Sequence, residues 1–372
     1  MTLAIQNVDD VMRDRIQSRY YQVGQMLPSE RALAENLGVE RRTVQMAIRQ
    51  LAIEGLLEVQ PRCRPVVSSR TPQHCLSRLV ALVMWHSAEN DSERAEQQRV
   101  YWSMSETLGR AGYYGVCIDA GERSTGTYPD KANREAELLK YVLDGKFGGL
   151  VFYPQACNSN RDLVREISQL MPLVLIDRLM PGVQADFVGL DNRKSAAEAT
   201  RHLIEKGHKR IAFLSTGECI NTVEEHFEGY SRALNEAFPN DPYEVILTPP
   251  LSHSRSWPVL DAIFRLPKDE RPTAIVCANS HLAVRAGSDL RELNFRVPED
   301  VTLIDCDKIE RTVRDGLTTV EQPYEEIGKV AAELILRRGK NLTSDFAHIE
   351  LPMKHRCFWG VSQRDSNLYK VA

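Results

Sequence analysis

Residues 173–214 read LVLIDRLMPGVQADFVGLDNRKSAAEATRHLIEKGHKRIAFL, and this stretch decides the fold of most of the chain. Leu173–Ile176 is a short run of apolar, partly β-branched residues, the pattern of a strand buried on both faces. Asp177-Arg178 follows, then a second such run at Phe187–Leu190. Arg193–Lys206 has helical periodicity, and Ile211–Leu214 is a third strand-like run. Strand, helix and strand in this order predict a parallel βαβ unit.

The same alternation extends in both directions. Leu79–Met84, Gly115–Ile118 and Gly149–Phe152 lie upstream, with a helical pattern at Ala132–Leu143 between them. Ala274–Cys277 and Val301–Ile304 lie downstream. The expectation is a doubly wound α/β domain, with ligands taken up outside the C-terminal ends of its strands. The residues just past those ends are Trp85-His86, Tyr153-Pro154, Asp177-Arg178, Asp191-Asn192, Asn279-Ser280 and Asp305-Cys306-Asp307. Carboxylates, amides, Arg and aromatic rings suit a polyhydroxylated ligand, because the polar groups bond hydroxyl pairs and the rings cover an apolar face. Neither G-x-x-x-x-G-K-[ST] nor G-x-G-x-x-G occurs, so no phosphate loop is expected.

Residues 68–77 are polar and aperiodic and read as a linker. Before them the pattern changes. Ile5, Val8, Met12, Ile16 and Tyr20 recur at helical spacing. Ser29 can cap a helix over Glu30–Leu37 that stops at Gly38, and a third helix runs from Arg41 to Ile53. Val44, Ala47, Ile48 and Leu51 form its apolar stripe, while Arg41, Gln45 and Arg49 share another face. Leu56–Val59 and Pro65–Val67 read as two strands around a basic loop holding Arg62 and Arg64. Two helices about a glycine turn, the second with an exposed basic edge, make a helix-turn-helix, and the hairpin makes it winged.

Bulk properties agree with a soluble, multidomain chain. It has 372 residues, 42% hydrophobic and 26% charged, with eight cysteines in no C-x-x-C pair and no metal-ligand spacing. No apolar run reaches the ~18 residues that cross a membrane, and the start carries no secretory signal pattern, so a cytoplasmic protein is expected. Net charge is −4, but residues 1–77 carry ten Arg against eight acids, or +2, leaving −6 for residues 78–372. The positions of the arginines therefore matter more than the total.

Two resemblances follow from these residues. Gly24-x-x-Leu27-Pro28-Ser29-Glu30-Arg31-x-Leu33-Ala34, with Leu37-Gly38-Val39-x-Arg41-x-Thr43-Val44 and Leu51-x-x-Glu54-Gly55-Leu56-Leu57, resembles the winged helix of GntR-type bacterial transcription regulators. The resemblance implies DNA contacts at Arg31, Glu40, Arg41, Arg42, Thr43 and Gln45 and at the wing residues Arg62 and Arg64. Glu40 stands where the family has a small polar residue, Gln45 where it has Arg, and Arg62 and Arg64 where it has glycines. Gln pairs with adenine where Arg prefers guanine, so an atypical operator is expected.

Asp177-Arg178, Ala196-x-x-Ala199-x-x-His202-Leu203-Ile204-x-x-Gly207-His208, Pro272-Thr273-Ala274-Ile275, Val297-Pro298-Glu299-Asp300-Val301 and Leu317-Thr318-Thr319-Val320-x-Gln322-Pro323-Tyr324 resemble the effector domain of LacI/GalR-type repressors. The fold implied is the periplasmic-binding-protein-like one, two α/β subdomains with a ligand in the cleft between them. The fusion is similar in architecture to the arabinose-repressor type.

The resemblance implies effector contacts at Asp177, Asn279 and Asp307. His226 replaces the family's Arg before Gly229-Tyr230, and Ser280 replaces an Asp. Trp85, Tyr153 and Arg178 complete the candidate set. Each has a plainer alternative: Asp177 could pair with Arg178, Asp307 could cap a turn, His226 could be a surface residue, and Trp85, Tyr153 and Trp257 could be core aromatics.

The expected boundaries are 1–69 for the winged head, 70–77 for the linker and 78–372 for the effector domain. Its subdomains are drawn at about 78–190 plus 320–344, and 191–319 plus 345–372. The function expected is a DNA-binding repressor acting as a homodimer on operator DNA, controlled by a small polar ligand of the sugar class. No cofactor, metal or membrane partner is expected. The alternatives are a nucleoside or purine effector, or a carbohydrate-active enzyme with a DNA-binding head. No nucleophile elbow or H-E-x-x-H motif supports an enzyme.

Overall fold

The computed structural model describes residues 2–17, 20–53, 55–60, 63–68, 77–86, 91–122, 128–215, 220–240, 242–248, 258–306, 317–340, 342, 344–353 and 355–357. Three helices open the chain: α1 (Thr2–Gln17), α2 (Glu30–Leu37) and α3 (Arg41–Ile53). Ser29 caps α2 by accepting from the Ala32 amide at 3.3 Å, and Gly38 ends it in the left-handed conformation at φ 65°. Strands β1 (Leu57–Glu58) and β2 (Val66–Val67) pair antiparallel and form the hairpin. Val44, Ala47, Ile48 and Leu51 of α3 are buried with Met12, Leu27, Leu33 and Val67 in one small core. Tyr20 departs from the expected apolar face: it lies outside α1 (Thr2–Gln17) and is exposed, and Tyr21 takes the buried place.

The rest of the described chain builds two six-stranded sheets. The first contains β3 (Leu79–His86), β4 (Tyr114–Glu122), β5 (Gly149–Phe152), β6 (Leu173–Ile176), β7 (Asp186–Leu190) and β13 (His348–Leu351), in the order β13-β7-β6-β5-β3-β4, all parallel. The second contains β8 (Arg210–Leu214), β9 (Tyr243–Leu247), β10 (Ala274–Cys277), β11 (Thr302–Asp305), β12 (Thr318–Glu321) and β14 (His355–Cys357), in the order β14-β12-β11-β10-β8-β9. Only β14 runs antiparallel there, against β12. The helices that cover the sheets are α4 (Asp91–Arg110), α5 (Tyr128–Asp144), α6 (Arg161–Leu170), α7 (Asn192–Glu205), α8 (Asn221–Ala237), α9 (Pro258–Phe264), α10 (Ser280–Glu292) and α11 (Tyr324–Lys340).

Strands β5, β6 and β10 are buried at every residue, which explains their unbroken apolar runs. Alternate residues of β3 serve opposite faces: Val80, Leu82 and Met84 join one core, Ala81, Val83 and Trp85 the other. Two glycines set the closest helix pairs. A Cβ at Gly328 of α11 would meet the Val100 carbonyl of α4 at 2.2 Å, and one at Gly229 of α8 would meet the Arg193 carbonyl of α7 at 2.1 Å. Each lobe thus packs its paired helices backbone to backbone at the same kind of contact.

The strand pairing corrects one expectation. Residues 345–372 were to join the second lobe, but β13 pairs with β7 in the first sheet, and only β14 reaches the second. A four-residue strand with alternating burial carries too little signal to say which sheet edge it extends. The chain crosses between lobes at Leu190–Asn192, at Glu321–Tyr324 and at Leu351–His355. The expected linker, residues 70–77, lies outside the described residues apart from Ser77.

Candidate functional site

Helix α3 carries the first candidate surface. Arg41 and Arg42 are exposed in its first turn, Glu40 sits just before it, and the Glu40 carbonyl accepts from the Thr43 and Val44 amides at 3.0 and 3.4 Å. Thr43 and Gln45 are half-buried beside them. One acid outside the expected set organises this edge. The Glu30 carboxylate, in the first turn of α2, accepts from Arg41 Nε at 2.8 Å and from Gln45 Nε2 at 2.7 Å. Burial works against that charge, yet the bonds from Arg41 and Gln45 hold the Glu30 carboxyl below its ordinary range. Arg31 pairs with Glu35 one turn on, at 3.1 Å. Arg64 is exposed next to the hairpin, while Arg62 lies outside the described residues.

The second candidate is a cavity of about 230 Å³ between the two sheets, beyond the C-terminal ends of their strands. Tyr153, Asp177, Arg178, His226 and Asn279 all line it. Asp177 ends β6 in the left-handed region at φ 65°. Its amide donates to the Val188 carbonyl, and the Arg178 amide donates back to the Ile176 carbonyl at 2.7 Å, so the chain turns sharply into the cavity. The Arg178 guanidinium lies 5.3 Å from the centre of the Tyr153 ring and donates from Nη1 to Gln155 Oε1 at 3.3 Å.

Glu135 of α5 holds that wall from behind. Fully buried, it accepts from the amides of Gln155 and Ala156 at 2.8 and 3.2 Å and from Asn160 Nδ2 at 3.0 Å. Burial pushes its pKa up, against the pull of these donors.

On the facing wall His226 is buried on α8 and neither ring nitrogen has a hydrogen-bond partner. Burial draws its pKa down to about 4, so the ring is neutral at pH 7. Asn279 caps α10 through its side-chain oxygen, which accepts from the Leu282 amide at 3.0 Å. Asn192 donates to Glu225 at 2.9 Å, and across the lobes the Leu179 amide donates to Asn221 Oδ1 at 2.8 Å. Among the described residues no group of acids, His and Cys could hold a metal ion.

Trp85 is corrected. It is 1% exposed in the core between β3 and its covering helices, and Met84, on the opposite face of the strand, lines the cavity instead. A run buried on both faces gives no signal for which parity faces the cleft. Ser280 is fully buried and donates to Asp305 at 3.2 Å, with Thr319 donating to the other oxygen of Asp305, so the hydroxyl belongs to an internal network. Asp307 and Trp257 lie outside the described residues, while Cys306, one residue before Asp307, lines the cavity.

Lys131, Gln155, Asn192 and Gln322 line it as well and lie outside the expected effector contacts, although Asn192 is among the residues named at the strand ends. Asn192 and Gln155 stand within two residues of strand ends already marked. Lys131 belongs to the first turns of a helix, where a cleft-facing lysine looks like any exposed one.

Comparison with known proteins fits both halves. Residues 4–67 match the bacterial regulatory proteins of the gntR family, and residues 200–356 match the periplasmic binding protein-like domain. The transcriptional regulator GalR of Salmonella typhimurium is 30% identical over 278 residues, 71% of this chain and 80% of that protein. The repressor PurR of Vibrio atlanticus is 34% identical over 240 residues, 62% of this chain and 67% of that protein. This chain belongs to the LacI/GalR family of transcriptional regulators.

Its head is of the gntR kind, and it is a DNA-binding transcriptional regulator with a ligand-binding effector domain. The fold has solved counterparts. A putative ribose operon repressor from Burkholderia thailandensis superposes with TM-score 0.60 at 21% identity, over 76% of this regulator and all of that chain. A LacI family regulator from Enterococcus faecium with bound ribose gives 0.57 at 20% identity, again over 76% of this regulator and all of that chain.

Proposed function

We propose that this regulator is a repressor whose hold on operator DNA is set by a sugar bound between its lobes. Residues 1–69 act as the DNA-binding head, 70–77 as the linker and 78–372 as the sensor. In the head Arg41, Arg42, Thr43 and Gln45 read or grip the major groove, with Glu40 at the base edges, Arg31 on the backbone, and Arg62 and Arg64 on the wing. As a homodimer the protein would set two α3 helices in successive major grooves. In the sensor Tyr153, Asp177, Arg178, His226, Asn279 and Asp307 take the ligand. The protein works in the cytoplasm as a binding protein rather than an enzyme.

One observation carries the sensor reading: a cavity between the lobes at the strand ends, where Asp177, Arg178, Asn192 and Asn279 stand beside the Tyr153 ring. Its volume falls below the ~300–1,000 Å³ of drug-sized sites, as suits a monosaccharide. Amides, carboxylates and the Tyr153 ring match paired hydroxyls and a sugar's apolar face. The ribose bound in the Enterococcus faecium regulator supports the class.

A thermal-shift screen of monosaccharides against nucleosides tests the reading. The expected result is a melting temperature that rises with the logarithm of one sugar's concentration. That sugar should change operator affinity about 5- to 150-fold, a coupling of about 1–3 kcal/mol. Stabilisation by nucleosides alone would overturn the sugar assignment.

A further inference from the structure

Glu30 opens α2, and Arg41 and Gln45 stand one turn apart on α3. Both reach the same oxygen of the Glu30 carboxylate: Arg41 Nε donates to Oε2 at 2.8 Å, and Gln45 Nε2 donates to it at 2.7 Å. Burial works against the charge, but these bonds and the neighbouring Arg49 hold the carboxyl below its ordinary range. An ionised carboxylate only accepts, so Gln45 must turn its NH2 toward Glu30 and its Oε1 away. An unheld glutamine amide has no such constraint, because its two ends are alike in size and exchange by a half-turn about χ3. Here the choice is made before any DNA contact. Arg41 is held by Nε, and its Nη1–Nη2 end stays outside that bond on a largely exposed side chain.

We infer that Glu30 is a specificity-determining residue: by fixing the sense of the Gln45 amide, it makes α3 select adenine and reject guanine at one base pair of each half-site. This rests on the reading of α3 as the helix that enters the major groove. Adenine shows an N7 acceptor beside an N6 amino donor, whereas guanine shows two acceptors, N7 and O6. In the held sense one N–H of Nε2 goes to Glu30, the other meets adenine N7, and Oε1 accepts from N6. Against guanine the same Oε1 faces O6, and two sets of lone pairs lose their water with no donor between them. An amide able to flip would give its NH2 to O6 instead and lose most of that rejection. Glu30 thus acts through Gln45 as a positioning residue. It also works against affinity, because its negative charge lies beside Arg41 and Arg49, where phosphates gather.

The test is selection by the full chain from a pool of random double-stranded DNA. Gel-shift titrations follow on the selected site, on the same site with each adenine replaced by guanine, and on random DNA. Wild type, Glu30→Gln, Glu30→Ala and Gln45→Ala are compared, with thermal melts reporting folding. The wild type is expected to prefer adenine over guanine by about tenfold or more at one position of each half-site, and Gln45→Ala should lose that preference there. Glu30→Gln keeps the side-chain length, but its amide can accept from Gln45 or donate to it, so the preference should fall to within a few-fold. Glu30→Ala should do the same. Both should bind random DNA more tightly than wild type, with a salt slope steeper by up to about one. Damage to the fold of the head would instead weaken binding to both DNAs. If Glu30→Ala melts early, Glu30→Gln decides.

If a folded Glu30→Gln chain keeps the full preference at the position that Gln45→Ala loses, the inference fails and the reading of α3 stands. Guanine selected by the wild type at that position overturns the inference as well, as does a Gln45→Ala chain whose selection is unchanged. If Arg41→Ala also leaves the selection unchanged, the reading of α3 as the base-reading helix fails with it.

Discussion

Arg41 and Gln45 share one carboxylate, that of Glu30, and this is the residue-scale fact that bears most on DNA recognition. Two long side chains that would otherwise sample many rotamers are held along one edge of α3 before DNA arrives. Arg41→Ala is expected to weaken operator binding by about 1–3 kcal/mol if Arg41 reads a base. A gel-shift titration measures it, and unchanged affinity would remove Arg41 from the contacts. His226 makes a second residue-scale prediction. Its folded pKa is about 4 because burial disfavours the cation, against about 6.5 when unfolded. The unfolded chain binds the proton more tightly between those values, so stability is full above about pH 6.5 and falls as pH drops through the window. The loss approaches about 3 kcal/mol near pH 4. Urea midpoints from pH 7 to 4.5 should fall more steeply for wild type than for His226→Gln; parallel slopes would refute it.

At the scale of elements, the glycine contacts are the most demanding. Helices α4 and α11 meet where Gly328 leaves room for the Val100 carbonyl, and a methyl there would sit 2.2 Å from that oxygen. Backbone cannot step aside as a side-chain tip can, so Gly328→Ala must part the helices. A cost of about 1–3 kcal/mol is expected, read as a lowered denaturation midpoint of the sensor transition with the head transition unchanged. The strands tell a related story. Residues 173–176 and 187–190 announce themselves because both faces are buried, whereas β9 and β13 alternate in burial, β12 is Thr-Thr-Val-Glu with a single aliphatic residue and β14 has three residues, and none of these four reads as a strand in the sequence. Trp85 was misplaced for the complementary reason: a uniformly apolar run hides which face each residue serves.

At the scale of the whole molecule, two lobes are joined by three crossings, by ion pairs of Arg99 with Glu321 and Arg193 with Glu350, and by a hydrogen bond from the Leu179 amide to Asn221. Leu179 follows the Asp177-Arg178 turn, and Asn221 begins the helix that bears His226, so this bond ties the two walls of the cavity. Its loss releases a net of about 0.5–1.5 kcal/mol. Asn221→Ala should therefore weaken the sugar that stabilises the wild type by up to about tenfold, with little change in operator binding without the sugar. Calorimetry on the two proteins decides it. Wild-type sugar affinity in the variant would mean that the bond does not bias the lobes.

By itself the sequence determined what depends on neighbours along the chain. Helix α2 with its Ser29 cap and Gly38 stop, the stripe of α3, and the eight strand-like runs are local, because caps, turns and periodicity act over a few residues. Strand ends also marked Tyr153, Asp177, Arg178 and Asn279, since ligands gather there in α/β sheets. Only the tertiary structure decided what depends on distant partners: the sheet that β13 joins, the face on which Trp85 lies, the grip of Glu30 on Arg41 and Gln45, and the empty hydrogen bonds of His226. A free valence is a property of everything packed around an atom, and no stretch of sequence contains all of it.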